Sequence, residues 1–136
     1  MILADTSAWL EYDRGTGSTV DRRLTALIAN DGPLAVTEPV VMEVVAGASS
    51  DDSAADLRRL LAHCHLLRLE TVADFDAASR LYRRCRGAGV PPRGLVDCMI
   101  ASVALRNGAV LLAHDGDLSR IALLIGLEMD DASLPH

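Results

Sequence analysis

Lysine is absent from this chain, and all thirteen basic residues are arginine. That excludes P-loop phosphate binding, Schiff-base chemistry and receiver-type mechanisms, each of which needs a lysine. It leaves phosphate recognition open, because a guanidinium fork pairs well with phosphate oxygens. Aromatic side chains are scarce, at 3% of the chain. Trp9 and Tyr12, one helical turn apart, read as core or interface packing and not as a platform for stacked bases. The cysteines, Cys64, Cys85 and Cys98, are odd in number, widely spaced and set in helix-like contexts. They predict no disulfide framework and a reducing cytoplasm. No apolar run approaches the roughly 18 residues needed to cross a bilayer, so no membrane association is expected. No charged segment leads into an apolar stretch at the N-terminus, so no signal peptide is expected either.

The 136 residues suit a single domain, and half of them are apolar, chiefly Ala, Leu and Val. A net charge of −6 excludes a protein held on nucleic acid by bulk electrostatics. It leaves room for an enzyme with a local basic rim.

The organising stretch is MILADTSAWL. A short apolar run ends at Asp5, and Thr6 and Ser7 offer capping hydroxyls to the helix that follows. Further strands are expected at residues 34–36, 65–69 and 110–113, with a short one at 127–129. Helical periodicity lies between them: Val20, Leu24, Leu27 and Ile28, closed by Asn30-Asp31-Gly32-Pro33, then residues 54–63 and 73–86. The loop GAGVPPRG leads into a helix over 95–106 that ends at Asn107-Gly108. Strands alternating with helices predict an α/β fold with a parallel sheet and right-handed crossovers.

Four acids stand in or directly after apolar runs. Asp5 ends the first strand, Glu43 sits within VVMEVV, Asp97 within LVDCMI, and Asp115 follows VLLAH. A carboxylate among core residues is costly unless compensated, and none of these runs contains an arginine. A hard divalent cation, Mg²⁺ or Mn²⁺, supplies that compensation through oxygen ligands. Asp5 and Asp115 end parallel strands on one edge of the sheet, where open α/β folds bind ligands. Asp97 lies in a first helical turn, where the dipole favours an anion. Glu43 lies about one and a half turns beyond the expected N-cap Thr37, with Pro39 in the first turn. Asp117 is a fifth candidate ligand.

Each has a plainer reading. Asp5 caps a helix, Glu43 faces solvent beside Ala46 and Gly47, Asp97 is a helix-start acid, Asp115 is a turn residue, and Asp117 caps a helix over 118–125. Most other acids, Asp13, Asp31, Asp51, Asp52, Asp74, Asp130 and Asp131, fall in polar surroundings and read as solvated. His63-Cys64-His65 is too local for a zinc site. Arg80, Arg83, Arg84 and Arg86 form a basic helix end with a solvated face as its default.

The segments MILADTSAWLEY, TEPVVMEVVAG, GLVDCMIASVAL and VLLAHDGDLSRIA, in that order, resemble PIN-domain ribonucleases, and specifically the VapC toxins of bacterial toxin–antitoxin pairs. The resemblance implies a PIN-like fold: a short central parallel sheet flanked by helices, with an acidic pocket at the carboxyl ends of the strands. It places Asp5, Glu43, Asp97 and Asp115 at the family's acidic positions and Asp117 at an auxiliary one. It implies Mg²⁺-dependent endonucleolytic cleavage of RNA, in which one or two ions on Asp5 and Asp97, supported by Glu43 and Asp115, make a bound water acidic. Partners implied are a cognate antitoxin, whose segment lies in an apolar groove beside the pocket, and a second copy of the chain. Candidate substrate contacts are Arg93, Thr6 and His114. Ala113 and Leu118 depart from the family's usual Thr or Ser and bulkier aromatic, and neither removes a carboxylate. The rival readings are a PIN-like interaction module that no longer cleaves RNA, and a Mg²⁺-dependent phosphatase or receiver-like domain, which the missing lysine disfavours.

Overall fold

A computed structural model describes residues 1–133. The chain runs β1 (Ile2–Ala4), α1 (Thr6–Arg14), α2 (Thr19–Ala29), β2 (Leu34–Val36), α3 (Glu38–Ala46), α4 (Asp51–Ala62), β3 (His65–Leu66), α5 (Thr71–Gly87), α6 (Leu95–Asn107), β4 (Val110–Leu112) and α7 (Gly116–Ile125). The four strands form one parallel sheet in the order β3-β2-β1-β4. Ile2 pairs with Leu34 on one side and Val110 on the other. Every residue of β1 and β2 is buried, which is why these strands read as continuous apolar runs without alternation.

This order makes β1 the switch point. The chain moves outward from β1 through β2 to β3, then returns to β4 on the far side of β1. Helices following β1 and β4 therefore leave in diverging directions, and a crevice opens at the carboxyl ends of the strands between them. Asp5 stands at its floor, its backbone N–H bonded to Leu112 O across the gap at 3.0 Å. Trp9 is fully buried one turn into α1, with its ring edge-on to Tyr12 at 5.9 Å. It is core packing, as its position on the apolar face implied.

Several boundaries differ from expectation for local reasons. β3 is two residues long where five were expected: its last backbone bond to the sheet is Leu67 N–H to Val36 O, after which the chain leaves for α5. The expected strand at 127–129 is reduced to a single bridge between Met129 and Leu111. Cys64 lies just past α4 and not within a helix. All three cysteines are free thiols. Asp31 supplies the left-handed residue (φ 50) that turns the chain from α2 into β2, in the breaker cluster the sequence marked. No helix among the described residues is long and apolar enough to cross a membrane.

Candidate active site

The sequence offered the hydroxyls of Thr6 and Ser7 as caps of the first helix and, as the plainer reading of Asp5, that carboxylate. Asp5, not Thr6 or Ser7, is the N-cap of α1. Its Oδ1 accepts from the Ala8 N–H at 3.0 Å and from the Ser7 hydroxyl at 2.6 Å. Ser7 Oγ also accepts the His114 N–H at 2.8 Å, tying the end of β4 to the start of α1. Asp115 repeats the arrangement at the other strand end. It, and not Asp117, caps α7, with Oδ1 accepting from the N–H groups of Asp117 and Leu118 at 3.0 and 3.3 Å. In both aspartates one oxygen is held by a helix N-terminus, while Oδ2 accepts no hydrogen bond among the described residues.

Thr6 and Ser7 do other work. The Thr6 hydroxyl donates to Glu43 Oε1 at 2.5 Å, joining α1 to α3 across the crevice. Thr37 and Pro39 start α3 as expected, although Thr37 makes no side-chain cap. Glu43 is thus half-buried, with one oxygen held. Asp97, in the first turn of α6, accepts no hydrogen bond from any described residue.

These four acids line one open cleft of about 370 Å³, together with Thr6, Ser7 and Arg93. Acids 18 to 110 residues apart in the chain therefore converge, as the strand-end argument required. Asp117 and His114 do not line it. Asp117 sits on the outer side in the first turn of α7, paired with Arg93 and Arg120. The His114 ring turns toward α1, with Nε2 3.4 Å from Glu11, and its buried Nδ1 has no partner among the described residues.

The electrostatics follow from this crowding. Burial pushes the Asp5 carboxyl up to about 7 against the Ser7 and Ala8 hydrogen bonds, and Asp97 and Asp115 push it further in the same direction. Asp97 is raised to about 6, first by burial, then by Asp115 and Glu43, with Arg93 opposing. Arg93 NH2 meets Asp115 Oδ1 at 2.9 Å, and its Nε meets Asp117 Oδ2 at 3.2 Å. Among the described residues no three His, Cys, Asp or Glu side chains are already closed into a metal cage. The donor set nevertheless suits a hard cation: all oxygen, like-charged, with one carboxylate unbonded among the described residues and three half-bonded ones lining a shared cleft.

Ser7 was missed as a site residue because a serine after a strand-end aspartate looks like a cap. Its function here depends on the return of β4, 107 residues later.

The PIN domain family matches residues 2–124. The chain belongs to that family. It is 39% identical over 129 residues to a VapC ribonuclease of Mycobacterium bovis and, equally, to ribonuclease VapC11 of Mycobacterium tuberculosis, covering 94% of this chain and 96% of each relative. This PIN domain therefore falls among the VapC ribonucleases. Its fold matches a DNA-bound VapBC complex from Salmonella typhimurium with a TM-score of 0.75 at 18% identity, over 96% of this chain and 97% of that one.

Proposed function

We propose that this PIN domain is a divalent-metal-dependent endoribonuclease that acts as the toxin of a toxin–antitoxin pair in the cytoplasm. The observation that supports it best is Asp97, a half-buried carboxylate without a hydrogen-bond donor, standing among three other acids. A folded protein leaves such a group uncompensated where a ligand completes it.

Asp5 and Asp97 are the principal ligands for Mg²⁺ or Mn²⁺, with Glu43 and Asp115 in support and Asp117 in an outer position. When bound, the cation supplies Lewis-acid stabilisation of phosphoryl and leaving oxygens. The chain supplies the rest. Backbone N–H groups of α1 and α7 orient Asp5 and Asp115, and the Thr6 hydroxyl orients Glu43. Thr6 lies on the cleft wall, within reach of a bound strand, and Arg93 supplies the cleft's guanidinium for a phosphate. His114, behind the cleft, takes part only through the strand end it belongs to. Leu10, Leu95 and Val96 give the cleft apolar surface against which ribose or base can pack.

The relatives are ribonucleases by name, the Salmonella neighbour is a DNA-bound VapBC complex, and another neighbour of like fold is a toxin–antitoxin complex from Klebsiella pneumoniae. The same assignment gives this chain RNA as substrate, a VapB-type antitoxin as inhibitor and a homodimer as its working state. Incubation of the purified protein with RNA tests the activity. Cleavage is expected with Mg²⁺ or Mn²⁺, lost with EDTA, and strongly reduced in Asp5→Asn and Asp97→Asn. Cleavage that survives EDTA rejects the metal assignment, and no cleavage under any divalent ion favours the interaction-module reading.

A further inference from the structure

Arg93 is the one basic residue among those that line the acidic cleft. It stands on the loop between α5 and α6, after Pro91 and Pro92, whose rings restrict the backbone while the arginine side chain itself is 67% exposed. Its guanidinium bridges two acids of α7, Asp115 and Asp117. Neither needs it for structural reasons. Asp115 Oδ1 is already satisfied by two backbone N–H groups of α7, and Asp117 is paired with Arg120 as well. Arg93 also lies close enough to Asp97 to oppose the repulsion from its acidic neighbours.

Resting on the metal-site reading above, we propose that Arg93 is a displaceable internal counter-cation, which holds the acidic cleft when no divalent ion is bound and is expelled when one binds. A dication among Asp5, Glu43, Asp97 and Asp115 and a guanidinium on Asp115 draw on the same negative charge and repel each other. Each therefore weakens the other by the same factor. The expelled side chain stays tethered at the rim, so the guanidinium becomes free for a substrate phosphate only in the loaded protein. The loop thus couples ion uptake to substrate grip, with no rearrangement of the sheet.

Titration calorimetry of Mn²⁺ into the full chain, at fixed pH and salt, reads the competition directly. Arg93→Gln should bind Mn²⁺ about tenfold more tightly than wild type, within the range usual for coupled sites. Arg93→Lys should fall between the two, because an ammonium keeps the charge without the bridging fork. A second readout uses the wild-type protein: the Arg93 Nε–H resonance, assigned by its loss in Arg93→Gln, should shift as Mg²⁺ is added. Manganese uptake by wild type with equal or weaker binding by Arg93→Gln overturns the exchange and leaves the metal site standing, as does an Arg93 resonance unmoved at saturation. No uptake by wild type rejects the metal site itself, and the exchange with it.

Discussion

Asp74 and Asp97 are two carboxylates of one helical hairpin, α5 and α6, and they have opposite fates. Asp74 is 1% exposed, yet it accepts hydrogen bonds from Ser102 at 2.6 Å, from Arg106 at 2.7 Å and from the Glu70 N–H at 2.7 Å. Burial alone would push its carboxyl up, but these donors, Arg106 first, hold it below the usual range. Asp97 is less buried, accepts no hydrogen bond among the described residues, and is raised to about 6. Burial therefore does not distinguish the acid proposed to bind metal from a structural one. Compensation does: Asp74 finds its counter-charge within the chain, and Asp97 is left open to the cleft.

The largest effect expected from breaking this contrast is on Asp74. Asp74→Ala leaves the Ser102 hydroxyl, the Glu70 N–H and the Arg106 guanidinium without their acceptor and should cost about 3 kcal/mol in urea unfolding, with cleavage per folded molecule unchanged. The pH dependence sharpens the contrast further. Asp5, at about 7 in the folded protein, keeps a proton that the unfolded chain releases above its ordinary 3.8. Metal-free stability should therefore fall as pH rises from about 4 and level off above about 7, by on the order of 4 kcal/mol from this group. Asp74 runs the other way: its contribution is present above the ordinary carboxylate value and is lost as pH falls through its lowered one. Asp5→Asn should reduce the first slope to the part that Asp97, raised to about 6, contributes, and leave the second, as chemical melts across the pH range would show.

Asp97→Asn should lower RNA cleavage by about 10²–10³-fold while the metal-free protein melts no lower than wild type at pH 8. A drop in melting temperature would make Asp97 a structural acid like Asp74. The smallest effect belongs to Thr6→Val, which frees Glu43 from its one hydrogen bond. About a tenfold loss of cleavage is expected, with stability within about 1 kcal/mol of wild type.

Sequence reading reached the four cleft acids because each interrupts or ends an apolar run, and burial follows from such runs. It failed on Asp74 for the same reason. Residues 71–76 look like a solvated helix start, and the partners that compensate the buried Asp74, Ser102 and Arg106, lie 28 and 32 positions away. Arg93 was legible only as a basic residue near an acid, because its bridge to α7 depends on how the loop folds over the cleft. The assignment of Thr6 and Ser7 as caps failed because Asp5 performs that task itself, and their hydroxyls then turn to Glu43 and to the end of β4. The strands were placed to within a residue at β1, β2 and β4, where burial is continuous, and overextended at the exposed edge strand β3.

The double duty proposed for Asp5 and Asp115, as helix caps and as metal ligands, has a practical consequence for anyone who disarms this protein. Alanine at either position removes a carboxylate and also unfastens a helix, at a cost of about 1 kcal/mol, so lost cleavage would mix two failures. Asparagine fastens the helix about as well as aspartate and removes only the charge. Descendants of this chain face the same bind: shedding these acids loosens the very helices that frame the cleft, so a silenced copy should drift toward asparagine or serine at both positions before anything else.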